Sequence, residues 1–186
     1  MSGLNTTVVR SILQKFQIPM FTLSRFKTIG TILITAFTAS TLAWDHYHGG
    51  VPVHHLLMDK DLPGISNWWG ILIMPLFGWI TLHKMEQSLR QKDGKRNLIR
   101  LFGIGCLTGI AIAIAFVHDV KQILDNVPYG LLLIAIFFPV YQSAFMLGFV
   151  LAMFTTFGPV IPVLFICVVA IAGWVIYLSP RYLYKK

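Results

Sequence analysis

The chain is 186 residues long, 56% hydrophobic and only 12% charged, with a mean hydropathy of +0.72. That balance excludes a disordered chain and argues against a water-soluble globule. Its 15 Lys and Arg against 7 Asp and Glu leave a net charge of +8; in a soluble protein this would suggest nucleic acid, but the apolar runs are long enough to point to a bilayer instead, and no nucleic-acid partner is expected.

Residues 1–28 form a basic leading segment. Val8, Val9, Ile12, Leu13 and Phe16 recur at helical spacing while Arg10, Ser11, Gln14 and Lys15 take the other side, the pattern of an amphipathic helix lying along an anionic cytoplasmic leaflet. The first apolar run follows from Ile29 to Trp44. Thr41-Leu42-Ala43 near its end has the small-residue look of a signal-peptide cleavage site. The polar region ahead of the run is far longer than a signal peptide's, so the run is read as a retained span. A second run covers Trp68 to Leu82 and a third Leu98 to Val117, with Arg100 close enough to the end to snorkel.

The last apolar stretch, Tyr129 to Leu178, carries no charged residue and is far too long for one crossing at 1.5 Å per residue of a layer about 30 Å thick. Breaks are expected at Pro139-Val140-Tyr141-Gln142-Ser143 and at Gly158-Pro159, where proline ends or kinks a helix.

Charge alternates along these segments. The successive flanking regions sum to +4 before the first span, −2 after it, +4 over 83–100, −1 over 118–128 and +3 in the tail 179–186. By the positive-inside rule the N-terminus, the 83–100 loop and the tail are cytoplasmic, and the 45–67 and 118–128 segments lie outside. The expected fold is an all-α membrane protein, a polytopic helical bundle of six transmembrane helices over 29–178 plus the interfacial N-terminal helix. A five-span arrangement, with one long kinked fourth helix, is the alternative.

One segment offers chemistry. Asp45, His46, His48, His54 and His55 fall within eleven positions, and His118-Asp119 lies at the outer end of the third span. Imidazole is the commonest transition-metal ligand and carboxylates complete zinc or iron sites. In an extended segment His46 and His48 share a side, and Gly49-Gly50 permits the reversal that brings His54 or His55 back toward them. The candidate metal ligands are therefore His46, His48, His54, His55 and His118, with zinc the favoured divalent ion and Asp45 or Asp119 as orienting or general-base carboxylate. The opposing reading is that these imidazoles only form hydrogen bonds in an interfacial loop. The signal is one of density, since neither HExxH nor HxxHH is present.

The remaining features favour structure. Ser66 or Asn67 reads as an N-cap, Trp68-Trp69 as an interfacial anchor, Pro75 as a kink, Gly105 and Gly109 as a close-packing face, and His83 as an ordinary residue near Lys84. Cys106 and Cys167 read as small buried apolar residues with no metal spacing. Tyr141, Gln142 and Ser143 either line a site within the spans or form a solvated loop. Three functions fit: a zinc-dependent membrane hydrolase acting on a lipid-like substrate, a small transporter with an outer cation entry site, and a non-catalytic scaffold or assembly subunit.

Overall fold

The structure, a computed structural model, describes residues 20–55, 64–91 and 93–183. The expected amphipathic helix around Val8 to Phe16 lies outside them. The described chain is mostly helical: α1 (Met20–Tyr47), β1 (Val53–His55), β2 (Gly64–Ser66), a 3-10 turn (Asn67–Trp69), α2 (Gly70–Leu89), α3 (Gly94–Val117), α4 (Lys121–Leu124), α5 (Val127–Phe137), α6 (Ser143–Phe157) and α7 (Val160–Leu183). Each expected apolar run lies in a helix, and the long last stretch divides into α5, α6 and α7 at Phe138–Gln142 and at Gly158-Pro159, the two anticipated breaks.

α1 and α2 run antiparallel. Ile34 packs at Gly78, Leu82 packs at Gly30, and Lys27 pairs with Glu86 at 3.8 Å. Several hydroxyls of α1 bond back to their own helix, Thr35 Oγ1 donating to Thr31 O at 2.8 Å and Thr38 Oγ1 to Ile34 O at 2.9 Å, which lets these polar residues sit in an apolar segment; the buried Thr31 hydroxyl has no such partner among the described residues.

α3 and α6 run parallel along the closest seam in the bundle. A Cβ added to Gly105 would strike the Phe145 carbonyl, and one on Gly109 would lie 2.8 Å from Ala152 Cβ. From the other side, Gly148 faces the backbone of Phe102 and Cys106. The expected Gly105/Gly109 face therefore meets α6 where Gly148 and Ala152, four residues apart, are small. Small residues on both sides let the two backbones approach.

α6 is the central helix. Phe145, Phe149, Val150 and Ala144 are fully buried, together with Met74 of α2, Leu101 of α3, Ala135 of α5 and Ile166 of α7. Phe37 of α1 and Phe116 of α3 meet the far end of α6 through Phe154 and Phe157, with ring centroids 4.9 and 4.5 Å apart. Gly173 of α7 abuts Val140 beside the start of α6. The helices thus share two ends. A basic end gathers the α2–α3 turn and the α5–α6 loop, where Asn97 Nδ2 donates to Gln142 Oε1 at 3.4 Å. A loop end gathers residues 48–55 and 64–69, the end of α3 and the α6–α7 turn.

Three expectations need correction. The described chain is not purely α: β1 and β2 form an antiparallel ladder, pairing Val53 with Ser66, His54 with Ile65 and His55 with Gly64. Helix lengths do not themselves establish six crossings, because only two helices among the described residues, Arg25–Tyr47 and Gly94–Val117, are long and apolar enough to cross a membrane; α5 and α6 have 11 and 15 residues. The cysteines are less buried than expected: Cys106 is half-buried beside Gly148 and Cys167 is exposed on the outside of α7.

Candidate functional site

At the loop end, α1 continues past Trp44 to Tyr47, so Asp45 and His46 are helical. The 100° advance per residue then separates positions 46 and 48, whereas an extended chain would align them. His48 turns back onto its own helix. Its ring stacks on Trp44 with centroids 3.8 Å apart, and its Nδ1–H donates to the Trp44 carbonyl at 2.9 Å. His46 instead sits edge-on to Tyr47 and to Trp68.

Gly49 and Gly50 have φ of 124° and 97° and provide the anticipated reversal. The amide of Gly50 closes the helix by donating to Asp45 O at 2.9 Å. The chain leads into β1, returns through β2, and re-enters the bundle at Ser66, whose hydroxyl accepts from Trp68 N at 3.3 Å. Ser66 thus caps the 3-10 turn that leads into α2, while α2 itself starts after Trp69 without a side-chain cap.

Asn67 has another task, which its residue type alone did not reveal. It is buried, its amide donates to Pro52 O at 3.0 Å, and its side chain occupies the space that a Cβ on Gly158 would need. Gly70 packs in the same way against Pro159. These contacts clamp the His-rich segment onto the α6–α7 turn. His118 is exposed at the end of α3 and lines a shallow recess of about 280 Å³ with Thr155 and Thr156 of α6, and Asp119 follows it at a φ of 50°. The end of α6 thus meets both the Asn67 clamp and the His118 recess, as expected for two segments on one face.

Among the described residues no three His, Cys, Asp or Glu side chains stand close enough to hold one metal ion. His46 and His48 are engaged by aromatic rings, His54 is held in the β ladder, and His118 and Asp119 belong to the α3–α6 corner. Asp59 and Asp61 lie outside the described residues. His83 keeps its separate place near the basic end, where Gln87 Nε2 donates to its Nε2 at 3.1 Å.

The basic end holds a polar cleft. Tyr141, Gln142 and Ser143 form the loop ahead of α6 and line a space of about 430 Å³ with Lys84 and Asn97. Sequence reasoning noted this trio but saw the 83–100 cations only as topology markers. Their convergence requires α3 and α6 to lie side by side, which no local pattern states. Compared with known protein families, curated proteins and solved structures, the chain matches none.

Proposed function

We propose that the chain is a multi-pass integral membrane protein, with six helical segments set in the bilayer and both termini cytoplasmic, that acts as a non-catalytic membrane subunit. The observation that carries this reading is the outer surface: among the described residues 30 large hydrophobic side chains are exposed, including Ile32, Leu72, Leu107, Ile114, Leu133, Val168 and Ile171. A water-soluble monomer does not leave such a surface uncovered. The shortness of α6 is compatible with embedding, since nine of its residues are buried within the bundle, and irregular backbone at membrane depth is tolerated where protein covers it. The charge alternation supplies the orientation.

At the outer face Trp44, Tyr47, Trp68 and Trp69 are exposed around the histidines. Such aromatics suit the headgroup zone and a docking surface for another membrane protein. The clamp through Asn67 and Gly158 gives that surface a fixed shape. Catalysis by zinc would instead require His46, His48 and a third ligand to converge, with a water position left open.

Two measurements on the purified full chain test this. Cysteine accessibility in oriented vesicles is expected to place position 186 inside and position 60 outside; a tail labelled only from outside refutes the six-segment arrangement. Metal content after growth with added zinc is expected to be equal and substoichiometric in the parent, His46→Ala and His48→Ala. One bound zinc per chain, lost in both variants, replaces the subunit reading with the hydrolase.

A further inference from the structure

We infer that the cleft at the basic end is a binding site for a phosphate group, carried by a lipid headgroup or by a small soluble phosphate compound. The inference is independent of what the loop end does. It begins with two helix starts. α3 opens at Gly94 and α6 at Ser143, neither has a side-chain cap, and both residues line the same 430 Å³ cleft; the Gly94 amide is already taken by Gln91 O at 3.0 Å, so the α6 start is the more open of the two. The first amides of a helix have no partner within it, and the aligned peptide dipoles place partial positive charge there, so an oxyanion is the natural occupant.

A second observation points the same way. Ser143 is only 7% exposed, yet it lines the cleft and its hydroxyl makes no hydrogen bond among the described residues. The residue is nearly buried while its hydroxyl opens to the cleft, so the partner of that hydroxyl is whatever occupies the cleft. Asn97 is held at the same wall by Gln142 at 3.4 Å and by Arg100 Nη2 on its Oδ1 at 2.9 Å.

Charge completes the case. Lys84 lines the cleft and forms no ion pair among the described residues. Past Gln91 and Gly94 the cleft adjoins a recess of about 630 Å³ that carries Arg96 and Arg100 against the single carboxylate of Asp93. Lys84, the open start of α6, the Ser143 hydroxyl facing the cleft and the two arginines of the adjoining recess favour an anion with several acceptor oxygens. A phosphate meets that description, and the adjoining recess leaves room for the rest of the molecule.

The test uses the full chain in a neutral detergent and in nanodiscs of phosphatidylcholine, with thermal stability and native mass spectrometry as readouts. Phosphatidic acid is expected to bind and to raise the unfolding temperature. If inorganic phosphate or glycerol 3-phosphate does the same in nanodiscs, a soluble phosphate suffices; if only phosphatidic acid does, the source is lipid. Either result supports the site. Lys84→Gln and Ser143→Ala are each expected to weaken binding about tenfold or more, the loss of one hydrogen bond to a charged group, while Lys95→Gln, a nearby cation off the cleft, leaves it unchanged. No binding by any of the three probes overturns the proposal. So does equal weakening by Lys95→Gln, which would reduce the effect to general surface charge.

Discussion

Replacing Gly148 by alanine tests the α3–α6 seam on which the rest of the bundle is built. The added Cβ would meet the Phe102 carbonyl, and it would lie 3.1 Å from the Cys106 amide nitrogen and 3.2 Å from Cys106 Sγ. Two of these obstacles are backbone, which cannot swing aside as a side-chain tip can, so the helices must part. Overpacking of this kind costs about 1–3 kcal/mol. Alanine recovers about 0.5–1 kcal/mol of the penalty that glycine carries in a helix interior. Gly103 provides the control, being on the same seam helix with nothing within 4 Å of an added Cβ; Gly103→Ala is expected to stabilise by that helix term alone, about 0.5–1 kcal/mol. The two substitutions should therefore move stability in opposite directions. Unfolding by SDS in mixed micelles, followed by far-UV circular dichroism, measures both. A Gly148→Ala protein as stable as Gly103→Ala would refute the seam.

Two further substitutions probe contacts between distant segments. Glu86 is 8% exposed and pairs with Lys27 at 3.8 Å and Arg90 at 3.0 Å, while Lys27 also lies 4.3 Å from the Trp79 ring centre; Glu86→Gln leaves Lys27 without its carboxylate and is expected to cost up to about 3–5 kcal/mol, partly restored by adding Lys27→Met. A double variant no more stable than the single one would show that the pair does not join α1 to α2. Gly158 adopts φ 72° and ψ −173°, a region nearly confined to glycine, so Gly158→Ala is expected to cost about 1–3 kcal/mol from backbone strain and more from contact with Asn67. Asn67→Ala should relieve only the contact part, and unfolding midpoints of the four proteins separate the two contributions; no loss in either background would remove the clamp.

The helical segments were legible because their cause is local. An uncharged run in lipid or in a core must close its backbone hydrogen bonds within itself, and proline at 139 and 159 marks where it cannot continue. The Gly105/Gly109 face was visible for the same reason, since it repeats along one helix. The histidine segment was read less well. Treating positions 45–48 as extended placed His46 and His48 together, but α1 retains both Asp45 and His46. Nothing after Trp44 stops a helix before Gly49, and His48 finds its partner one turn back at Trp44. The ladder formed by Val53–His55 was missed because its partner strand begins nine residues later and neither strand alternates long enough to show a period. The burial of Asn67 depends on Gly158, 91 positions away, and no window along the chain contains both.

α6 explains why polar contacts lie at two separate places. A helix buried on nearly every side can offer polar groups only at its ends. At its C-terminal end the chain turns at Gly158, with the Asn67 side chain packed against it and its Oδ1 buried without a hydrogen bond among the described residues. At its N-terminal end there is no such arrangement: Gln142 is turned to Asn97, no side chain caps the helix, and the Ser143 hydroxyl is left open to the cleft. The cost of that vacancy is avoidable, since a serine, threonine or aspartate in place of Gln142 would cap the helix at little expense. An uncapped start facing Lys84, which forms no ion pair among the described residues, fits a seat for an anion, and the cations around it direct the search for function to the basic end.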